Sequence, residues 1–191
     1  KKLGYQVSVF DTKEQAADYL CGEIKDTTVG FGGSITLRDM GLYDRLQETN
    51  KVAWHMYPAE GQNKDELRML ARNTDVYLTS ANGLAETGEI INIDGTGNRV
   101  AASIFGPKRV VYVIGRNKIV AGGVDDAIQR AKRFACPPNC RRLMKHTPCA
   151  QTDVCADCDS PDRICKVTVI FDRPPTRTPT KVILVGEELG Y

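Results

Sequence analysis

The sequence predicts a single α/β domain over residues 1–191, with a mostly parallel sheet flanked by helices. Two observations carry this prediction. Short β-rich segments alternate with amphipathic helical segments along most of the chain, which is the order that parallel βαβ units require. The segment 108–115 ("KRVVYVIG") is nearly all apolar, as expected of a central strand that is covered on both faces.

The first half of the chain supplies most of these elements. The segment 5–10 ("YQVSVF") is predicted to be a strand, and the following helix begins with Thr12 and Gln15 at the spacing of a capping box. A short buried strand at 27–31 then runs directly into a glycine-rich loop. Further strands are predicted at 51–57, 75–80 and 89–94, and further helices at 63–73 and 98–106.

The second half contains an interruption. After the central strand and a helix at 124–135, a Cys-rich insertion occupies residues 135–166 and precedes a final pair of strands at 166–172 and 181–187. A structureless loop of this length is uncommon inside a compact domain. We therefore expect the insertion to be ordered, and a bound metal is a means of ordering it.

Charge and hydropathy exclude several classes of partner. The net charge is +2, from 26 basic and 24 acidic side chains, which gives no electrostatic argument for binding nucleic acid or a membrane surface. No segment approaches the ~18 consecutive apolar residues of a membrane span. We expect a cytoplasmic protein that binds a small molecule, and the sequence leaves oligomerisation open.

The first candidate binding loop is 30–34 ("GFGGS"). Gly32, Gly33 and Ser34 lie between a strand and a predicted helix start. Glycines let the backbone approach an anion closely, and the free N–H groups at a helix start favour negative charge. A tight strand-to-helix turn without a ligand is the alternative interpretation.

The second candidate loop follows the strand at 75–80. It delivers Ser80, Asn82 and Glu86 towards the end of the sheet at which α/β folds bind ligands. Glu86 is the only carboxylate between the two turn signals of this loop, which makes it a candidate general base or nucleophile. The alternative is a solvated glutamate.

The third candidate loop is 93–99 ("IDGTGNR"), directly before a predicted helix. Its candidate residues are Asp94, Thr96, Gly97, Asn98 and Arg99. The arginine offers a bidentate partner for a carboxylate or phosphate group, whereas a plain capping turn is the alternative. Lys118 follows the strand at 108–115 and is expected to line the same edge.

Six of the seven cysteines lie between residues 136 and 165. The last four of them, Cys149, Cys155, Cys158 and Cys165, form a candidate metal-ligating set, because four thiolates suit either Zn²⁺ or a [4Fe–4S] cluster. Only one C-x-x-C is present, whereas zinc sites usually have two. We therefore favour a [4Fe–4S] cluster, with zinc as the alternative.

Three further residues of the insertion, Cys136, Cys140 and His146, have no assigned role. Either cysteine could replace one of the four ligands, and a cluster with an open iron could act as a Lewis acid. Disulfide pairs are another alternative for the tract, although cysteines crowded into one segment are unlike the distributed staples of small secreted proteins.

Several longer motifs resemble the LUD-domain family, the lactate-utilisation proteins. They are "VGFGGSITLRDMGLYDRL", "ANGLAETGEIINIDGTGNRVAASIFGPKRVVYVIGRNKIV", "SPDRIC" and "ILVGEELGY". The resemblance implies the Rossmann-like fold of ribose-5-phosphate isomerase, glucosamine-6-phosphate deaminase and the CoA transferases. In that superfamily a glycine loop commonly cradles a phosphate or acyl group, and a nearby acidic residue does the chemistry. These roles would fall on Gly32, Gly33 and Ser34, and on Glu86 or Asp94.

The resemblance and the loops together define the expected function. We expect binding of a small anionic metabolite, a hydroxy acid or a sugar phosphate, beside a Cys-ligated metal centre. The family setting implies other lactate-utilisation or redox subunits as partners. One alternative is an electron-transfer or assembly subunit without its own substrate. Another is a ligand-binding protein with structural zinc. The sequence lacks the regular C-x-x-C-x-x-C run of a ferredoxin-type domain, which some family members carry.

Overall fold

Six parallel strands form the main sheet of the protein, which a computed structural model describes over residues 2–191. The strand order is β1-β10-β7-β4-β2-β3, and every neighbouring pair is parallel. This confirms the predicted α/β fold with a mostly parallel sheet. The strands are β1 (Gln6–Phe10), β2 (Thr28–Phe31), β3 (Lys51–Ala53), β4 (Val76–Thr79), β7 (Arg109–Gly115) and β10 (Thr180–Val185).

Helices cover both faces of this sheet. Because side chains alternate along a strand, Val111 and Val113 of β7 pack on one face, and Val110, Tyr112 and Ile114 pack on the other. The first face is covered by α1 (Lys13–Glu23), α2 (Ile35–Asp39) and α3 (Leu42–Leu46), and the second by α4 (Lys64–Arg72) and α5 (Asn98–Ile104). Across residues 2–191, no helix combines the length and the apolar character that crossing a bilayer requires.

The predicted boundaries hold to within about two residues for most of these elements, and the strand predicted at 51–57 is the clearest exception. β3 ends at Ala53, and the N–H of Tyr57 donates to the carbonyl of Trp54 at 3.0 Å to close a turn. The indole of Trp54 is buried and stacks on Phe31 with ring centroids 4.7 Å apart. Ending the strand early places His55 beyond the carboxyl end of the sheet.

A second, four-stranded sheet was not anticipated. It has the order β8-β5-β6-β9, and β6 is antiparallel to both of its neighbours. Its strands are β5 (Gly83–Ala85), β6 (Ile90–Asp94), β8 (Ile119–Val120) and β9 (Val167–Phe171).

The two C-terminal strands therefore do not pair with each other, contrary to the prediction. β9 forms an edge of the small sheet, whereas β10 lies inside the large one, between β1 and β7. Burial explains the separation. The first four residues of β9 are exposed or half-buried, as suits an edge strand, whereas most of β10 is buried.

The Cys-rich insertion begins as helix rather than as loop. α6 (Val124–Arg130) continues through one π-helical turn at Ala131–Ala135 into α7 (Cys136–Arg142), and a further short helix, α8, spans Pro148–Thr152. Two prolines follow Cys136 in the first turn of α7, where their fixed φ suits a helix. Cys136 and Cys140 are four residues apart on this helix and therefore share a face.

Hydrogen bonds within the protein order the remainder of the insertion. Arg163 donates to the carbonyls of Cys158 at 2.8 Å and Cys165 at 2.9 Å. Asp162 accepts from the backbone N–H of His146 at 2.9 Å, and Ser160 donates to the carbonyl of the same residue at 3.0 Å. The motif "SPDRIC" thus ties its own loop together, and the insertion is ordered, as we expected from its length.

Candidate ligand-binding site

A cavity of about 200 Å³ lies where the carboxyl ends of β2, β4, β6 and β7 meet the beginning of α7. The three loops predicted to bind a ligand all reach it. Of the predicted residues, eight line the cavity: Gly33, Ser34, Asn82, Asp94, Thr96, Asn98, Arg99 and Lys118. The cavity therefore lies at the edge of the sheet at which α/β folds bind ligands.

The glycine loop shapes the wall of the cavity through close packing. A Cβ atom on Gly32 would lie 2.9 Å from the hydroxyl oxygens of both Tyr77 and Thr79, so no larger residue fits there. Gly32 itself lies behind the wall, whereas Gly33 and Ser34 face the cavity. Ser34 also begins α2, because its Oγ accepts the N–H of Leu37 at 3.3 Å.

Arg99 is a structural brace as well as a lining residue. Its Nη1 donates to the carbonyl of Ser80 at 3.2 Å and to Asn92 Oδ1 at 2.6 Å. Its Nη2 donates to Asn82 Oδ1 at 2.9 Å and to the carbonyl of Ile93 at 2.7 Å. All four Nη hydrogens are used in this way, so the guanidinium joins the end of β4 to β6 and holds the second and third loops together.

Asp94 presents one free carboxylate oxygen to the cavity. Its Oδ1 accepts the backbone N–H groups of Thr96 and Gly97, both at 3.1 Å. Gly97 has a φ of 88°, a left-handed conformation that favours glycine, and this turn begins α5. The other oxygen, Oδ2, is buried and has no hydrogen-bond partner among the described residues.

Partnerless polar atoms concentrate at this cavity. Within residues 2–191, four buried side-chain nitrogen or oxygen atoms lack a hydrogen-bond partner: Trp54 Nε1, His55 Nδ1, Arg68 Nε and Asp94 Oδ2. The last three belong to residues that line the cavity. Buried polar groups are nearly always hydrogen-bonded in folded proteins, so three exceptions around one cavity indicate atoms that a ligand or water would satisfy.

His55 is held in its neutral form by its surroundings. Burial lowers the pKa of His55 to about 4, and the positive charges of Arg68 and Lys64 act in the same direction. The neutral imidazole has one donor and one acceptor nitrogen. It can therefore donate to, or accept from, a ligand at neutral pH.

Lys118 is the most deeply buried cation of the cavity, with 3% of its surface exposed. Its Nζ donates to Thr36 Oγ1 at 2.8 Å and to Ser80 Oγ at 3.0 Å. Burial and, to a smaller extent, the charges of Arg130 and Arg99 together lower the pKa of Lys118 to about 7, against a weaker opposing effect of Asp39.

Glu86 lies away from the cavity. It occupies the exposed turn between β5 and β6, and its N–H donates to the carbonyl of Val120 at 2.9 Å. At ~3.3 Å per residue, the strand that separates it from Asn82 carries it about 13 Å away. The second loop thus begins at the cavity, but its carboxylate does not return to it.

Polar lining residues that sequence reasoning missed include His55, Arg68 and Tyr191. His55 had a usable signal, because it lies near the carboxyl end of a predicted strand, which points to the site. Arg68 of α4, Arg142 of α7 and Tyr191 reach the cavity from parts of the chain that no local pattern connects. Arg142 Nε and the hydroxyl of Tyr191 are 2.8 Å apart, so the C-terminal residue is tied to α7.

Four thiols of the insertion, those of Cys136, Cys140, Cys149 and Cys165, lie near one another. Cys140 Sγ and Cys149 Sγ are 3.8 Å apart, and Cys149 Sγ is 3.3 Å from Thr147 Oγ1. A hydrogen bond between the thiols of Cys136 and Cys165 raises the pKa of Cys136 and lowers that of Cys165. Cys136 also lines the ligand cavity.

The metal-ligating set predicted from the sequence shares Cys149 and Cys165 with these four thiols. In the described part of the chain, no three His, Cys, Asp or Glu side chains are grouped so as to hold a metal ion. The set of Cys149, Cys155, Cys158 and Cys165 therefore stays a prediction. Cys140 on α7, which the sequence offered as a replacement ligand, has its Sγ 3.8 Å from Sγ of Cys149.

The fold and the cavity define an α/β protein with a polar cavity at the carboxyl edge of its parallel sheet. The family model of the LUD domain matches residues 1–185, and the chain belongs to the LUD-domain family. No curated protein matches the sequence. Among solved structures, it is similar to a DUF162 family protein from Deinococcus radiodurans, with 15% identity, a TM-score of 0.51 and coverage of 96% of this chain and 89% of that one. At this identity the likeness concerns the fold alone.

Proposed function

We propose that the protein binds a small anionic metabolite, a hydroxy acid or a sugar phosphate, in the cavity at the carboxyl edge of the sheet. The observation that carries this proposal is the concentration of partnerless polar atoms of His55, Arg68 and Asp94 around one cavity. They comprise a ring nitrogen, a guanidinium N–H and a carboxylate oxygen. A ligand that carries both an anionic group and hydroxyl or carbonyl groups satisfies all three.

The charge of the lining supports an anionic ligand. Three guanidinium groups line the cavity, those of Arg68, Arg99 and Arg142, against the single carboxylate of Asp94. Arg99 is already committed to protein acceptors, whereas Arg68 has a buried Nε without a partner. Arg68 is therefore the first choice for a direct contact with a phosphate or carboxylate group.

The size of the cavity supports a small ligand. Its volume of about 200 Å³ lies below the ~300–1,000 Å³ that is typical of pockets for drug-sized molecules. A three-carbon hydroxy acid or a sugar phosphate is compatible with this volume. The family relationship supports the lactate-utilisation setting, with L-lactate as one candidate and other lactate-utilisation or redox subunits as partners.

If the protein is an enzyme, Asp94 is the acid–base group we propose, rather than Glu86. Two backbone N–H groups fix its Oδ1, which aims the free Oδ2 without occupying it. A positioned carboxylate with one unshared oxygen can take a proton from a ligand hydroxyl or from a carbon next to a carbonyl.

Calorimetric titration of the protein with L-lactate, ribose 5-phosphate and inorganic phosphate tests the proposal. We expect at least one of them to bind, and Arg68→Gln to weaken that binding about tenfold or more, because a charge-assisted hydrogen bond is worth about 1.5–3 kcal/mol. The matched control is Arg38→Gln, which removes an exposed arginine paired with Asp39. Absence of binding, or equal weakening by both substitutions, would contradict the proposal.

A further inference from the structure

Lys118 differs from an ordinary anion-binding lysine in the partners of its amine. The acceptors of its Nζ are the hydroxyls of Thr36 and Ser80, not carboxylates. The side chain is almost fully buried and still borders the cavity. A lysine that is buried without a carboxylate partner loses the interactions that normally keep it protonated.

The hydrogen-bond network is compatible with a neutral amine. Thr36 Oγ1 donates its own hydrogen to the carbonyl of Leu189 at 3.1 Å, so it must accept from Lys118. Ser80 can reverse its role, because a hydroxyl both donates and accepts. A neutral Lys118 can therefore donate to Thr36, accept from Ser80, and keep one hydrogen for a ligand.

The nearby charges also oppose protonation. The guanidinium groups of Arg130 and Arg99 act on Lys118 from α6 and α5, and the carboxylate of Asp39 at the end of α2 opposes them weakly. Arg130 is itself fixed, because it donates to the carbonyls of Asn117 at 3.1 Å and Asn82 at 2.7 Å. The two arginines are thus permanent cations that disfavour a third charge at the same place.

We propose that the amine of Lys118 is a nucleophile that forms a Schiff base with a carbonyl ligand. The grounds are the buried position of Lys118 on the cavity, its hydroxyl partners and its two cationic neighbours. The inference rests on the proposed function and narrows its ligand class to aldehydes and ketones that carry an anionic group, such as 2-oxo acids or open-chain sugar phosphates. A buried lysine with an unprotonated amine is the form that reacts with carbonyl carbons.

The step balances without any other reactant. The nitrogen of Lys118 attacks the carbonyl carbon, a C–N bond forms, and the carbonyl oxygen leaves as water with the two hydrogens of the amine. Nothing is oxidised or reduced. Protonation of the resulting imine makes hydrogens on the adjacent carbon acidic. Asp94 lines the same cavity and has a free Oδ2 to accept such a proton.

Reductive trapping tests the inference on the full chain. The protein is incubated at pH 7 with pyruvate or glyoxylate and sodium cyanoborohydride, then digested, and each lysine is examined for the reduced adduct by mass spectrometry. We expect at least about tenfold more adduct on Lys118 than on the exposed Lys51, because a lysine with an ordinary pKa is only ~0.1% neutral at pH 7. The adduct at residue 118 disappears in Lys118→Met and persists in the control Lys51→Arg.

A parallel calorimetric titration with pyruvate and phosphate separates the two proposals. Binding of either anion without an adduct on Lys118 would overturn the Schiff base and leave the anion site standing. Absence of both binding and adduct would overturn both. An adduct spread equally over exposed lysines and Lys118 would also overturn the Schiff base. This outcome is read from the wild-type protein, so it does not depend on whether Lys118→Met folds.

Discussion

The free carboxylate oxygen of Asp94, Oδ2, lies 3.7 Å from Nε of Arg99. This distance permits electrostatic attraction, but it is too long for a hydrogen bond. The two side chains are 9% and 13% exposed, respectively, so they face each other in a buried position while the other donors of the arginine hold β4 and β6. A carboxylate with an unshared oxygen is the feature on which the proposed chemistry depends.

The substitution Asp94→Asn is expected to separate binding from chemistry. Removing the one negative charge of the lining should tighten phosphate binding, by about fivefold for a charge some 4 Å away in a solvated site. Turnover of whichever of L-lactate or ribose 5-phosphate is found to bind should fall about 100-fold or more, the usual loss for an acid–base group. Calorimetry and an activity assay measure the two effects.

Glu86→Gln is the comparison for this substitution, because Glu86 is the other carboxylate that the sequence proposed for catalysis. Its exposed position away from the cavity leads us to expect unchanged binding and turnover. Loss of turnover in Glu86→Gln with retention in Asp94→Asn would return the catalytic role to Glu86.

The substitution Arg99→Lys is expected to lower the free energy of unfolding by about 2–4 kcal/mol, because an ammonium cannot reach the four acceptors that the guanidinium serves. The buried amide of Asn92 would lose its charged partner. Urea denaturation measures the change. Arg38→Lys is the control at an exposed ion pair, with an expected effect within about 0.5 kcal/mol. Equal effects of the two substitutions would refute the bracing role of Arg99.

Glu23 should make the stability of the protein depend on acid. Burial raises the pKa of Glu23, but hydrogen bonds from Lys181, Tyr19 and Arg109 outweigh it and lower the pKa to about 2. The unfolded chain has a value near 4.3. The stabilisation is therefore complete above pH ~4.3 and is lost as the pH falls towards 2.

Glu23→Gln should accordingly cost about 1–3 kcal/mol at pH 7, after allowance for solvent screening of a partly exposed group, and much less near pH 2. Urea denaturation at several pH values measures this. The exposed Glu60→Gln serves as the control. A cost for Glu23→Gln that does not change between pH 7 and pH 2 would exclude the ion pairs as its source.

The pairing of Cys140 with Cys149 predicts which disulfide forms first. At 3.8 Å the two sulfurs need only a modest approach to reach the ~2.05 Å of a disulfide bond. Treatment with the thiol oxidant diamide should cross-link this pair before the C-x-x-C of Cys155 and Cys158, as read by peptide mass spectrometry. Cys149→Ser should abolish the cross-link, and Cys158→Ser should leave it intact.

Metal analysis of anaerobically purified protein distinguishes this arrangement from the ligand set predicted from the sequence. Loss of iron or zinc in Cys158→Ser, with retention in Cys140→Ser, would support the ligand set predicted from the sequence. It would contradict a functional role for the contact between Cys140 and Cys149.

The sequence alone determined the order of the strands of the parallel sheet and of most of its helices, and the edge at which the cavity lies. Both follow from local signals. Apolar periodicity marks the elements, and glycine-bearing loops after parallel strands necessarily gather at one edge of the sheet. Eight of the predicted binding residues line the cavity for this reason, including Asp94 and Lys118.

Only the tertiary structure decided what the side chains do there. The strand β5 carries Glu86 away from the cavity, and four protein acceptors occupy the guanidinium of Arg99. The packing of α7 against α8 places the thiol of Cys140 beside that of Cys149. His55 and Arg68 arrive from separate elements. These contacts join residues that are distant in sequence or lie on different elements, so they depend on packing geometry, which residue spacing along the chain does not encode.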